Sequence, residues 1–192
     1  MKIYQLKIHL SPNYIKPPIW RRVLVKSDIT FYELHQIIQV AMGWTNSHLW
    51  DFNFGDFSIT MPSKDDDWRD VVDANSIKIS KLLNKEKDKI NYTYDYGDSW
   101  EHKITLEKIV VEDKKQIYPV CIKGKRACPP EDCGGSWGYE SMLETISDKK
   151  HPEHEDMLEW IGGGFDSEEF EIDDVNDCLQ DEGCWKGISS WF

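Results

Sequence analysis

The sequence predicts an α+β fold: a mainly antiparallel sheet from the N-terminal two-thirds, helices packed against it, and a helical C-terminal third. Two observations carry this. Apolar residues alternate with period two in several stretches before residue 125, and the period changes to helical spacing near residue 136. A third sets the domain count. Residues 1–192 show no internal repeat, low-complexity linker or boundary, so a single domain is expected.

The elements follow in order. Tyr4, Leu6, Ile8 and Leu10 share one face of a first strand, Ile3 to Leu10, with Gln5, Lys7 and His9 on the other. The Pro-rich SPNYIKPP joins it to a second strand, Ile19 to Lys26, as a hairpin with a long loop. Thr30 and Glu33 make a capping box, and Phe31, Leu34, Ile37, Ile38 and Ala41 recur at helical spacing until Gly43 closes the helix. A hairpin over His48 to Thr60 places His48, Trp50, Phe52 and Phe54 on one face and turns at Gly55-Asp56. Residues 62–75 read as a polar surface loop, and a short helix is expected around Ser80 to Lys85. In the next hairpin Tyr92, Tyr94 and Tyr96 alternate with polar residues. Its return strand sets Trp100, His102, Ile104 and Leu106 on one face, with Gly97-Asp98 in the connection. Tyr118 to Ile122 forms a last strand.

Three helices end the chain. The first is marked by Tyr139, Met142, Leu143 and Ile146. The second has Pro152 at its first position, runs through Trp160 and stops at Gly162 to Gly164. The third covers Asp173 to Gln180 with Val175, Cys178 and Leu179 inward. Leu34, Ile37, Trp50, Phe52, Ile104, Leu106 and Met142 are expected to meet in one core.

Composition narrows the function classes. The chain is 40% hydrophobic with nine Trp, and its length allows roughly 70% of the unfolded surface to be buried. The net charge is −12, with the acid concentrated between Glu131 and Glu182. Such a chain gains no counterion release over a broad surface, so tight binding of generic duplex DNA is not expected. A small basic patch remains open to it, from Arg21, Arg22, Lys123, Lys125 and Arg126. The N-terminal MKIYQLKIHL alternates and lacks the apolar region of a signal peptide, and no run of about 18 apolar residues occurs. A soluble cytoplasmic protein without a membrane partner is expected. Five cysteines, odd in number and irregular in spacing, read as thiols.

Familiar motifs fail one by one. Gly162 to Gly164 lacks the dinucleotide spacing, HPEHE is not H-E-x-x-H, and neither a nucleophile elbow nor a P-loop occurs. His151 and His154 read as part of an exposed, acid-rich helix start. Cys121, Cys128 and Cys133 are spaced too loosely for the short Cys pair of a structural zinc site, and Cys178 reads as a packed thiol.

The stretch CPPEDCGG at 128–135 is different. Pro129-Pro130 fixes φ twice and Gly134-Gly135 permits close backbone approach, so Glu131 and Asp132 are held in a defined place. What they hold is the N-terminus of the following helix, His102, or a ligand. His48 and His102 start apolar strand faces. They are core imidazoles, or a pair at one sheet rim with Asp95 and Asp98, where His and carboxylates suit a divalent metal or acid–base chemistry.

Several segments agree in order with one known family. PPIWRRVLV, LHQIIQVAMGWTNSHLWDF, YTYDYGDSWEHKITLE and YPVCIKGKRACPPEDCGGSWGY resemble the plasmid pRi ORF-three-like family, which includes TnpR-like passenger proteins of insertion elements. The resemblance spans residues 2 to 180. It implies one α+β domain, and functional positions at Arg21, Arg22, His48, Asp95, Asp98, Trp100, His102, Glu131 and Asp132. It implies no mechanism, and the chain has neither the clustered arginines nor the basic tail of a recombinase.

Two functions follow. The first is a non-catalytic protein-interaction module in a plasmid or mobile-element system, with a protein partner. It rests on the nine Trp, the acidic last third and the lack of a complete catalytic constellation. The alternative is a metal-assisted hydrolase or nuclease-like enzyme. Its divalent metal would sit on His48, Asp98, His102 and Glu131.

Overall fold

The computed structural model describes residues 1–11, 13–63 and 70–186. Within them the strands are β1 (Lys2–Leu10), β2 (Ile19–Lys26), β3 (Trp50–Asn53), β4 (Ser58–Thr60), β5 (Val71–Asp73), β6 (Lys89–Tyr94), β7 (Trp100–Val111) and β8 (Val120–Lys125). The helices are α1 (Phe31–Met42), α2 (Gly135–Ser147), α3 (His154–Trp160), α4 (Ile172–Gln180) and α5 (Glu182–Trp185). The strands form one sheet in the order β5-β4-β3-β6-β7-β1-β2-β8. Every pairing is antiparallel except β4 with β5. Residues 71–73, expected in a loop, are therefore an edge strand, while residues 64–69 of that loop lie outside the described residues.

Alternation sets the faces. Tyr4, Leu6, Ile8 and Leu10 are buried, while Gln5, Lys7 and His9 are half-buried on the other side. The buried faces of β1, β2, β6 and β7 meet α1, so Leu34, Ile37, Trp50, Phe52, Ile104, Leu106 and Met142 share one hydrophobic cluster. α1 has the expected capping box, and Gly43 at φ 90° returns its N–H to Gln39 O.

A buried polar network ties α1 to β6 and to the loop after α1. The Tyr92 hydroxyl donates to His35 Nδ1 at 2.8 Å, and His35 Nε2 donates to Asn46 Oδ1 at 2.8 Å. Gln39 Nε2 donates to the Tyr92 oxygen, and Gln39 Oε1 accepts from Asn46 N. His35 also stacks on Trp50 with ring centres 3.8 Å apart. Both ring nitrogens of His35 and the Tyr92 hydroxyl are partnered, Asn46 Nδ2 alone is enclosed without a partner, and the network fixes the path toward Ser47 and His48.

The C-terminal third departs from expectation. Its helices are short, and residues 162–171 between α3 and α4 are turn and irregular chain. The short helix expected at 80–85 is a single 3₁₀ turn at Ile79–Lys81. The last strand is shifted to Val120–Lys125, because Pro119 has no N–H to give to a ladder. His154 is buried, with Nδ1 3.1 Å from Thr145 O, where an exposed helix start was expected.

Cys178 and Cys184 form a disulfide across the α4–α5 turn, with Cα atoms 5.3 Å apart, so the expectation of thiols holds only for Cys121, Cys128 and Cys133. Odd spacing hid this pair because the turn, not the sequence separation, brings the two together. Beyond it, Trp185 is buried and Gln36 Nε2 donates to Lys186 O, so α5 folds back on α1. On the outer edge of β8, Asn176 of α4 accepts from Cys121 N through Oδ1 and donates to Cys121 O through Nδ2. One amide side chain takes the place of a ninth strand. Among the described residues no helix is long and apolar enough to cross a membrane.

Two outcomes follow for stability. Leu34→Ala and Ile104→Ala should each destabilise the protein by about 2–5 kcal/mol, read from urea denaturation, because both side chains are fully buried. Burial holds the pKa of His35 and of His102 down from 6.5 to about 3. The unfolded chain therefore takes up protons on both as pH falls below about 6.5, and the native state does not. Stability should be lost on acidification from about pH 6.5 toward 3. A His102→Gln variant should show a flatter loss between about pH 6.5 and 5, where carboxylates contribute least.

Candidate functional site

Three loops meet at one end of the sheet: residues 43–49 after α1, the β6–β7 turn at 95–99, and the 126–134 segment before α2. Each is locally constrained. Asn46, Asp95, Ser99 and Asp132 adopt left-handed backbone at φ between 55° and 59°. Asn and Asp tolerate this region better than most residues, and such conformations persist where the surroundings over-determine them. Asp95 stabilises its own turn, with Oδ1 accepting from Gly97 N at 2.8 Å and its N–H donating to Leu49 O.

The 126–134 segment is seated by Glu131. Its carboxylate accepts from Thr45 N and Thr45 Oγ1, both at 2.8 Å, and from the Tyr94 hydroxyl at 2.8 Å. Asp98 Oδ2 accepts from Gly134 N at 3.1 Å. A Cβ on Gly135 would meet Asp98 O at 2.6 Å, and one on Gly138 would overlap Cys133 O. Trp44 Nε1 donates to Pro129 O. CPPEDCGG is thus a rigid seat. Its acids do not cap α2, whose N-cap Gly134 offers no side chain and lies at φ 88°.

With Glu131 tied down, Asp132 turns outward toward His48. His48 Nε2 lies 3.3 Å from Asp132 Oδ1, and His48 Nδ1 lies 3.7 Å from Asp95 Oδ2. One potential ligand atom from each of His48, Asp95 and Asp132 falls within 4.8 Å of the others. Two details give the cluster an unmet demand. His48 Nε2 is shut off from solvent and makes no hydrogen bond. Asp95 is only 6% exposed, and Oδ2 has no partner among the described residues besides that imidazole. Ligand atoms around a zinc-sized ion at bond lengths of about 2.0–2.2 Å lie about 3–4 Å apart, so modest side-chain movement would close the cluster. One imidazole and two carboxylates suit zinc, manganese or iron better than a softer ion.

Not every anticipated residue is here. His102 points into the core between Trp44 and Tyr92, with ring centres 5.3 and 5.2 Å away, and neither of its nitrogens has a well-formed hydrogen bond. Trp100 is fully buried core. Arg21 is buried inward, bonded to Ala41 O, Trp20 O and Lys125 O, with Phe170 against its guanidinium at 3.9 Å. Arg22 lies on the opposite sheet face in a bidentate pair with Glu107.

Of the anticipated metal set, only His48 remains. His102 faces the core, Glu131 is spent on Thr45 and Tyr94, and Asp98 serves Gly134. Asp95 and Asp132 take their places. His48 itself precedes β3 and lies outside any strand. Burial first, and then Asp98, pushes the Cys133 thiol up to about 12, and burial pushes Cys128 higher still. Neither cysteine belongs to the cluster.

Comparison with known proteins agrees on kinship. The family model for plasmid pRiA4b ORF-3-like proteins matches residues 2–174. The uncharacterized protein y4hQ of Sinorhizobium fredii (strain NBRC 101917 / NGR234) is 35% identical over 182 residues, 93% of this chain and 91% of the relative. The crystal structure of MM3350, a protein of unknown function from Methanosarcina mazei Go1, has a TM-score of 0.81 at 39% identity. The match covers 91% of this chain and 98% of that one. The chain therefore belongs to the plasmid pRiA4b ORF-3-like protein family.

Proposed function

We propose that the chain is a non-catalytic binding module whose working centre is a divalent cation held by His48, Asp95 and Asp132. The observation that carries this is the convergence of three ligand-bearing side chains from three separate loops, with the enclosed His48 Nε2 making no hydrogen bond and Asp95 Oδ2 facing the same imidazole at 3.7 Å. A cation on three protein groups keeps open positions. A carboxylate or carbonyl of a protein partner would fill them, and Trp137, 83% exposed in the first turn of α2, offers that partner an apolar contact nearby. The family's name supports a plasmid or mobile-element setting.

The hydrolase reading is the weaker one, because the displaced groups around the cluster are displaced the wrong way. Burial raises Cys128, Cys133 and Tyr94 away from nucleophile or general-base duty, and holds His102 neutral.

Calorimetric titration of metal-free protein with Zn²⁺ and Mn²⁺ should give one site per chain. Asp132→Asn and His48→Ala should each weaken it at least about tenfold, since each removes one of three ligands. The melting temperature without metal should stay unchanged for Asp132→Asn, whose side chain is 71% exposed. Absence of binding, or full binding in both variants, would sink the cation site. Metal-dependent cleavage of a generic phosphodiester, lost in the same variants, would replace the binding module with the hydrolase.

A further inference from the structure

The sheet face opposite α1 carries a charge pattern that the −12 total conceals. Strand register places Asn91, Lys103, His9, Trp20 and Lys125 side by side across β6, β7, β1, β2 and β8. The neighbouring row on the same face is Lys89, Thr105, Lys7, Arg22 and Lys123. All ten positions are half-buried or exposed. Five strands about 4.8 Å apart make a band about 19 Å long, with rows about 7 Å apart. Six of its ten residues are cationic and none is acidic.

Local detail agrees with an unmet need for anions. Among the described residues no ion pair joins Lys103, Lys123 or Lys125 to an acid, and Arg22 alone is matched, by Glu107 at the band's margin. His9 Nε2 is enclosed and without a partner. Burial and then Lys7, Lys16 and Lys103 hold the pKa of His9 below its ordinary value, which shows how closely those cations crowd it. Lys7 Nζ and Arg22 Cζ lie 5.1 and 5.0 Å from the Trp20 ring centre. A groove of about 620 Å³ beside Arg22 brings Lys87 and Lys108 to the end of the second row, with Glu107 as its one acid.

We propose that this face binds single-stranded nucleic acid, its phosphates following the lysine rows and a base seated against Trp20. A positive track with an aromatic platform is how sheet surfaces hold single strands without reading their sequence. Lys7 and Arg22, drawn onto phosphates, would uncover the ring they now lie over. Duplex fits less well. Its paired bases offer nothing to Trp20, and its denser charge meets repulsion from the rest of the molecule. An acidic protein segment fits less well too, since such partners rely on apolar anchors in pockets, and the rows provide none. The proposal is independent of the cation site.

The test is fluorescence anisotropy with a labelled single strand of about 12 nucleotides, in EDTA and at about 50 mM salt. The expected result is micromolar binding whose logarithm falls with log salt at a slope of about −2 to −3, as three or four phosphate contacts require. The Lys123→Glu/Lys125→Glu double variant and Lys103→Glu should each weaken binding at least about tenfold, with melting temperatures unchanged because the side chains are exposed. Matched duplex should compete less well than unlabelled single strand, and polyglutamate of equal length should compete poorly. No binding, wild-type affinity in the variants, or duplex competing as well as single strand would overturn the proposal. Equal competition by polyglutamate would overturn it in favour of an acidic protein partner. Self-association of the free chain that the double variant abolishes would assign the face to the acidic third of a second copy.

Discussion

Three hydrogen bonds end on the carboxylate of Glu131, and the arrangement of the candidate site depends on them. Thr45 supplies two and Tyr94 the third, so one side chain pins the loop after α1, the end of β6 and the segment before α2 to one another. Burial first and then Glu131 raise the pKa of the Tyr94 hydroxyl well above its ordinary value, so this donor keeps its proton at neutral pH. With three of its acceptor sites taken, Glu131 is committed to seating the loop. Its neighbour, at φ 58°, is thrown to the other side of the backbone and faces His48. A pair of adjacent acids thus divides the work, one holding the loop and one presented.

That division explains what could be read in the sequence and what could not. Period-two alternation placed β1, β2, β6 and β7 within a residue or two, and the Thr30/Glu33 box placed the start of α1, because both signals are local. CPPEDCGG announced a rigid loop because Pro and Gly constrain the backbone wherever they stand. Which acid would face outward depended on Thr45 and Tyr94, 86 and 37 residues away, and no local pattern carries that. His48 and His102 looked alike as strand-face residues. The network of His35, Tyr92, Gln39 and Asn46 separates them, since it fixes the loop that leaves His48 at the rim, while the alternation of β7 drives His102 inward. His35, at the centre of that network, sat unnoticed in a helical pattern explained by its apolar neighbours.

The two proposed surfaces arise from the same sheet by different means. The cation cluster is assembled from loop ends, where three backbone segments must each adopt a strained turn before their side chains meet. The lysine band needs no special backbone, only register. A one-residue slip of β1 against β2 would turn Lys7 and His9 into the core, so the same apolar alternation that builds the core also enforces the cationic rows behind it. The acidic helix α4 packs against α1, on the sheet face opposite the lysine rows, and reaches the β8 edge.

Asn176 has a consequence beyond holding α4. A terminal strand leaves a row of open donors and acceptors along which further strands can add, from the same chain or from another. By presenting an amide that mimics a peptide group to Cys121, Asn176 closes part of that row with a single side chain. At the other end of the strand the exposed Lys123 and Lys125 add like-charge repulsion between any two copies approaching edge to edge. The outer boundary of this sheet is therefore a solubility device as well as a helix seat, and its failure would show as fibrous self-assembly before any loss of the native core.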